Sequence, residues 1–475
     1  DKMKIKILVI ALAISATIVN AQNEIDALRY STHELSGTAR YSAMGGAFGS
    51  LGGEFSGLSS NPAGIGMYQF SEISFTPCFN LNSTKSYYNN YNLSSYKSKV
   101  SIGNLGLVFT IPQKEPDWRR FNIGIGWNQL ANFNNTINIK GINSTSSIVD
   151  RILAMTNGTT QENLTNAYSV MAWETFLIDP LINNNGDEIN GEYISKFSTN
   201  PKLQSKLSTS LGGMNEFVFS LGSSYQEKIY IGATIGVPTF DYYEYSEYSE
   251  NEISDTLNNL RQMLLTEEIS AYGTGYNLKI GAIYRFSEEI KIGGSLHSPT
   301  FFSIEEDYNT SLTTIFKDSS KYYSMGYLTP FSYNLITPLK ANISASTRFN
   351  NIIISGEYEL IDYSTAEYFT SDFEEENTTI KNIYQNTENV KIGAELTIKP
   401  FVLRAGYSKY GSASIIKDLS KENFSYGLGL NNGAYFIDVA YVLTMQANEQ
   451  LLYSGVPISL ENTQHKLLLT LGFRY

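Results

Sequence analysis

"YNLKIGAIYRFSEEIKIGGSLH", residues 276–297, is two runs of alternating side chains joined by the short link Ser287–Glu289. Tyr276, Leu278, Ile280, Ala282, Tyr284 and Phe286 fall on one side; Asn277, Lys279, Gly281 and Arg285 fall on the other. A period of two puts each set on one face of a β-strand. The polar set contains full charges and glycines, which suits a wet lumen better than a packed core. The pattern returns at 389–399, where Val390, Ile392, Ala394, Leu396 and Ile398 oppose Lys391, Gly393, Glu395, Thr397 and Lys399. It returns again at the C-terminus, where Leu467, Leu469, Leu471, Phe473 and Tyr475 oppose Lys466, Thr470, Gly472 and Arg474.

Segments of this kind number about fourteen, an even count like that of bacterial membrane barrels. They lie near 70–80, 98–111, 119–136, 213–225, 229–241, 272–286, 290–306, 338–349, 352–363, 389–398, 401–410, 422–431, 433–446 and 464–475. Their connections alternate. Long ones are expected at 81–97, 137–212, 242–271, 307–337, 364–388, 411–421 and 447–463, and short ones at 226–228, 287–289, 350–351, 399–400 and 431–433. Outer-membrane barrels keep turns short on one side and loops long on the other. Lipid also forces closure, because an open edge leaves unpaired N–H and C=O groups in hydrocarbon. The expected fold is an all-β, transmembrane antiparallel β-barrel of about fourteen strands. A secreted sandwich or propeller is the rival, and it leaves the loop alternation unexplained. The 34 tyrosines and 25 phenylalanines fit aromatic girdles, or equally a general compositional bias.

The rest of the composition narrows the classes. Lys2, Lys4 and Lys6, the apolar run "ILVIALAISATIV" and the small Ala21 have the layout of a signal peptide over 1–21, with a mature start near Gln22. No later stretch is apolar for long enough to make a membrane-spanning helix, which does not bear on strands. The formal charge of −12 argues against a nucleic-acid partner. A single cysteine, Cys78, excludes an internal disulfide.

Motifs for chemistry are missing. His33, His297 and His465 are scattered, with no carboxylate or second histidine at metal-ligand spacing. "NNNGDEINGE" at 183–192 lacks the spacing and flanking helices of a calcium loop. Cys78 has no visible histidine partner. The expectation is a non-enzyme without cofactor or metal. The long insertion 137–212 carries "SSIVDRILAM" and "AYSVMAWETFLI", two amphipathic patches expected to be helical within an extracellular cap.

Ahead of the strands lies "GTARYSAMGGAFGSLGGEFSGLSSNPAGIGMY", residues 37–68. It resembles the N-terminal plug of the FadL/TodX-type outer-membrane transporters for long-chain fatty acids and hydrocarbons, in which a Gly-rich segment leads into Asn-Pro-Ala, here Asn61, Pro62 and Ala63. The runs 276–304, 389–407 and 426–443 resemble later hairpins of that family, and the long loops match nothing. The variant looks like the branch common in Bacteroidetes whose members are often labelled haemin receptors, although no axial-ligand constellation for haem is visible.

The resemblance implies a hatch over 22–69 inside a barrel over 70–475 in the cell outer membrane. It implies passive, gated uptake of a hydrophobic small molecule, a fatty acid or hydrocarbon, with an inward strand kink opening the wall to outer-membrane lipid. The hatch residues would be Gly45, Gly46, Gly49, Gly52, Gly53, Asn61, Pro62, Ala63 and Gly64. Candidate cations for a ligand carboxylate are Lys279, Arg285, Arg348, Lys391 and Arg404; alternation with Glu357, Glu359 and Glu395 also suits ion pairs that brace the wall. Phe473 and Tyr475 match a terminal strand read by the barrel assembly machinery, and a monomer is expected. The alternative is a plugged barrel whose loops bind a partner or haem-like ligand without lipid transport.

Overall fold

A computed structural model describes residues 24–115, 117–195, 201–253, 260–327, 330–453 and 455–475. The signal segment 1–21 and the expected mature start at Gln22 lie outside the described residues.

The wall is built from β1 (Glu72–Tyr88), β2 (Tyr91–Pro112), β3 (Trp118–Asn132, resuming as Asn135–Asn143), β4 (Lys202–Tyr225), β5 (Ile229–Glu252) and β6 (Leu260–Arg285). It continues through β7 (Ile290–His297 and Phe301–Phe316), β8 (Lys321–Tyr327, Phe331–Ile336 and Lys340–Phe349), β9 (Ile352–Asp362) and β10 (Asn386–Ile398). It ends with β11 (Phe401–Tyr410), β12 (Lys421–Asn431), β13 (Tyr435–Leu451) and β14 (Pro457–Arg474). Neighbours pair antiparallel, and β14 closes on β1 with Phe473 opposite Ile73 and Leu467 opposite Phe79. The result is a closed barrel of 14 strands.

Burial is inverted relative to a water-soluble protein. Ile280, Ile392 and Leu467 on the outer face are about half exposed, whereas Glu216, Thr470 and Lys466 on the inner face are at most 1% exposed. Water around such a wall would leave a continuous apolar belt uncovered, and lipid covers it. The alternation at 276–286 therefore reads as expected, with one exception. Ile283 faces inward and is fully buried against Ala63 and Tyr230.

The long connections need correction. The stretch 81–97 is not a loop, because β1 runs to Tyr88, β2 starts at Tyr91, and Asn89 and Asn90 make the turn with φ of +42° and +65°. Positive φ at both turn residues is the geometry a tight hairpin needs, and asparagine tolerates it. Most of 242–271, 307–337 and 447–463 is likewise strand. Beyond the apolar belt the outward face turns to polar pairs such as Tyr245 opposite Glu268 and Glu247 opposite Thr266. Backbone ladders do not need apolar alternation, so the hydrophobic signal stops while the pairing continues.

The insertion is correspondingly shorter, lying between Asn143 and Lys202, but both amphipathic patches are helical. They are α3 (Ile148–Thr156) and α4 (Ala167–Glu174), followed by a hairpin of Ile178–Ile182 with Glu188–Ser195. Ser147 caps α3 with a reciprocal Asp150 contact. Val149, Ile152, Met171 and Leu177 pack with Met263, Leu312 and Leu460 from the extended strands, making an apolar cap over the long-loop end. The stretch 183–192 forms the tip and arm of that hairpin, where Asn183 Oδ1 accepts from the Asn185 and Asp187 N–H groups.

Candidate functional site

The chain ahead of β1 fills the lumen. It contains α1 (Glu24–Ser31), α2 (Ala39–Ala43) and two 3-10 turns, Ser56–Ser59 and Pro62–Met67. Pro62 opens the second 3-10 turn, where its missing N–H costs nothing, and the Asn61 side chain caps that turn through the Ala63 N–H.

The segment is tied to the wall on all sides. Asn61 Nδ2 donates to Gly49 O and to the wall carbonyls of Ala282 and Gly294. Lys291 donates to Leu51 O, Asn122 to Ile65 O, Asn342 to Ser60 O and Ser425 to Ala43 O. Contact is close enough to require glycine on both partners. Gly45 adopts φ +64°, and a Cβ there would lie 3.0 Å from the Tyr407 backbone. In the wall, a Cβ at Gly281 would collide with Asn61 Oδ1. Gly49 donates its N–H to Glu357 at 2.8 Å, while Gly46, Gly52 and Gly53 turn the chain with positive φ and Gly64 packs on Gly52.

The five candidate cations are not equivalent. Lys279 is paired with Glu216. Lys391 lies 2.8 Å from Glu357 and 3.8 Å from Glu359. Arg404 bridges Glu395 and Asp438. Arg285 pairs with Glu288 at the short-turn end, and Arg348 is exposed at that same end. The inner three brace the wall and the plug, since Glu395 also receives Arg40 from α2 at 2.9 and 3.1 Å. His33 lies in the luminal segment and contacts Lys340 of the wall, His297 of the wall contacts Ser60 O of the segment, and His465 faces outward to Tyr441. At the C-terminus the Tyr475 N–H closes onto Ser71 O, and the Phe473 ring packs on Tyr435 and Tyr475.

Below the plug, towards the short turns, lies a cavity of about 600 Å³ lined by Arg40, Glu54, Glu395, Arg404, Asp438 and Arg474 among others. Burial pushes the Glu54 carboxyl up to about 7, against the pull of its hydrogen bonds from Thr38 and the Gly57 N–H. Above the plug an aromatic cluster fills the lumen. Tyr30 of α1 stacks on Phe240 at 3.9 Å, and Phe133, Tyr242, Phe302, Tyr333, Tyr368 and Phe373 complete it. Sequence reasoning missed this group, because its members come from strand tips and from the loop carrying α5 (Glu374–Ile383).

One seam of the wall is unpaired over its upper part among the described residues. β2 pairs with β3 only from Asn104 opposite Asn128 down to Pro112 opposite Arg120. Above that level, residues 91–102 keep their ladder to β1 but have none to β3 among the described residues. A bulge between Gln129 and Ala131 and the break at Phe133–Asn134 swing upper β3 inward. It passes behind β1, whose Asn82, Thr84 and Ser86 side chains donate to Asn134 O, Asn135 Oδ1 and Asn138 O. Gly212 of β4 accommodates the bend with φ +109°, accepting from the Phe133 N–H and from Asn134 Nδ2. Val100 and Ile102 on the free edge of β2 are 68% and 48% exposed. Opposite Val100 is Phe79, which is itself opposite Leu467, so the unpaired edge lies at the depth of the apolar belt. Behind it runs the plug, with Glu34 N–H donating to Leu130 O and Ser36 to Gln129.

Solved structures share this architecture. The chain aligns over 93% of its length with 99% of TodX, the toluene transporter of Pseudomonas putida, at 12% identity and a TM-score of 0.53. CymD, a monoaromatic hydrocarbon channel, aligns over 94% of this chain and 99% of its own at 12% identity and 0.52. A Pseudomonas aeruginosa FadL homologue aligns over 94% and 99% at 10% identity and 0.51. No family model and no curated protein matches the sequence. At these identities the likeness establishes the fold, that of the FadL/TodX-type barrels.

Proposed function

We propose that this chain, with a FadL/TodX-type fold, is an outer-membrane channel for passive, gated uptake of hydrophobic or amphipathic small molecules such as long-chain fatty acids. The observation that carries the reading is the unpaired seam between β2 and β3. Free backbone edges at hydrocarbon depth are costly, so a wall that keeps one open has a use for it. A ligand held in the aromatic cluster would displace plug residues and leave through the seam into lipid. Residues 22–69 are then the hatch, with the glycines and the Asn61-Pro62-Ala63 turn as its hinge points. Exported through its N-terminal signal, the barrel would be inserted by the assembly machinery through the Phe473/Tyr475 strand and act as a monomer.

The test is a reversible lock. An added Cβ at Gly427 sits 2.5 Å from the Ala43 Cβ, so cysteines at both positions can bridge after a shift on the order of 1 Å. With Cys78→Ser as background, uptake of labelled oleate or toluene by cells should stop on oxidation and return on reduction. Uptake that ignores the lock would refute hatch movement, and uptake equal to that of cells lacking the protein would refute transport.

A further inference from the structure

Beside the seam, on the face of the β3 break turned away from the aromatic cluster, lies a second cavity of about 150 Å³. Its walls are unlike those of a hydrocarbon pocket. Carboxamides and hydroxyls supply most of them, including Asn82, Asn132, Asn135, Asn462 and Gln464, with Glu34 from the plug and Lys421 from β12.

Several of these groups have their partners already. Asn135 Oδ1 accepts from Thr84, and Asn132 Oδ1 accepts from Asn134 at 2.6 Å. Three polar atoms remain buried without one: Asn132 Nδ2, Asn82 Oδ1 and Asn462 Oδ1. Asn132 is only 8% exposed. A buried amide left unpaired is costly, and lining residues that hold one free donor and two free acceptors match a group that both donates and accepts. A hydroxyl does both. A carboxylate only accepts, and here it would face two bare carbonyl oxygens and Glu34. Against the upward push of burial, Lys466 and Lys421 hold Glu34 below the usual carboxylate range, so it stays negative, and the one cation of the cavity wall among the described residues, Lys421, already has its counter-charge.

The location supplies the second half of the argument. Phe133, at the break, packs into the aromatic cluster against Tyr30 and Tyr242, while Asn132 and Asn135 on either side line the polar cavity. A polar site and an apolar site thus meet at one turn of chain, at the edge of the seam.

We propose that the polar cavity is a head-group site for uncharged, hydroxyl-bearing amphiphiles, long-chain alcohols or monoacylglycerols, whose chains lie along the aromatic cluster and the seam. This rests on the uptake reading and narrows its substrate class.

The experiment uses the purified protein in nanodiscs, with labelled 1-monooleoylglycerol, oleate and hexadecane as probes at pH 8. The glyceride should bind about tenfold more tightly than oleate, the ratio that one additional satisfied buried pair supplies. Asn132→Leu and Asn462→Leu should each erase the preference while leaving hexadecane binding unchanged. Heat-modifiable gel mobility checks that each variant is folded, and the wild-type preference needs no variant. Oleate binding as tightly as the glyceride would overturn the inference, as would leucine variants that keep the preference. Hexadecane retention without head-group preference overturns this inference alone. Head-group preference without hexadecane retention supports it and counts against hydrocarbon uptake, and no retention of any probe overturns both.

Discussion

Arg40→Met should loosen the plug by an amount the structure sets. The Arg40 guanidinium makes two charge-assisted hydrogen bonds to Glu395, at 2.9 and 3.1 Å, and its side chain is 24% exposed. Hydrogen bonds to charged groups contribute roughly 1.5–3 kcal/mol each when buried. Here Glu395 keeps Arg404 at 2.7 Å, so it is not left as a bare charge, and the exposure of Arg40 lowers the figure further. A net loss of about 2–3 kcal/mol follows, which multiplies the opening equilibrium of α2 roughly 30- to 150-fold. The protein carries its own reporter. Cys78, its single cysteine, is 1% exposed and packs in one cluster with Leu35, Ala39, Ala43 and Met44 of the plug. A maleimide reaches that thiol only when the plug moves, so its labelling rate in the purified protein should rise by the same factor. A rate within twofold of wild type, in a variant with normal heat-modifiable mobility, would show that the ion pair does not hold the plug.

Three further outcomes follow from the same geometry. Glu54 is pushed from its ordinary value of 4.5 up to about 7, so between those pH values the folded plug binds the extra proton. Its seating should weaken as pH rises through that window, by up to about 3 kcal/mol, and Glu54→Gln should flatten the ratio of Cys78 labelling measured across pH 5–8. Lys279→Met leaves Glu216 buried without a cation, keeping only the Asn277 hydrogen bond, and should destabilise the barrel by about 3–5 kcal/mol, whereas adding Glu216→Leu should recover most of that in thermal unfolding. Tyr30→Ala removes a ring stacked at 3.9 Å on Phe240 and should open an apolar void, so toluene should bind the variant more tightly than wild type in a calorimetric titration.

The strand order was legible because the belt that faces lipid must alternate, and residues 276–286 do so almost without fault. The strand tips were not, because beyond the lipid the ladder of residues such as Tyr245 and Glu247 carries no hydrophobic period. The Gly-rich segment pointed to a plug through its family resemblance, and Gly45 and Gly281 show what the glycines do: each marks a place where backbone meets backbone or an asparagine cap. The seam left only faint marks: the run Asn132–Asn135, which reads as ordinary strand, and the pair Gly212-Gly213, which falls where the expected loop 137–212 meets the next strand. The aromatic cluster left none. Tyr30, Phe240, Tyr333 and Phe373 are far apart in sequence and meet only because the closed barrel brings α1 and a distant loop into one lumen.

The charges in the lumen bear on the route proposed for a ligand. To travel straight down the barrel, an apolar chain would have to pass Lys279–Glu216, Lys391–Glu357 and the Arg40–Glu395–Arg404–Asp438 chain. Every member of these networks is paired and largely buried, so an apolar neighbour offers nothing in exchange for the hydrogen bonds it would break. The 600 Å³ space beneath them is lined by the same charges, and an alkyl chain resting there would gain no apolar cover. Sideways the balance reverses. From the aromatic cluster, the break at Phe133 leads to Val100 and Ile102, and each methylene that passes from protein to lipid stays out of water at nearly constant free energy. Filling the seam should therefore abolish hydrocarbon uptake even with a mobile plug, whereas neutralising the lumen pairs should not open a direct path unless the plug is also displaced.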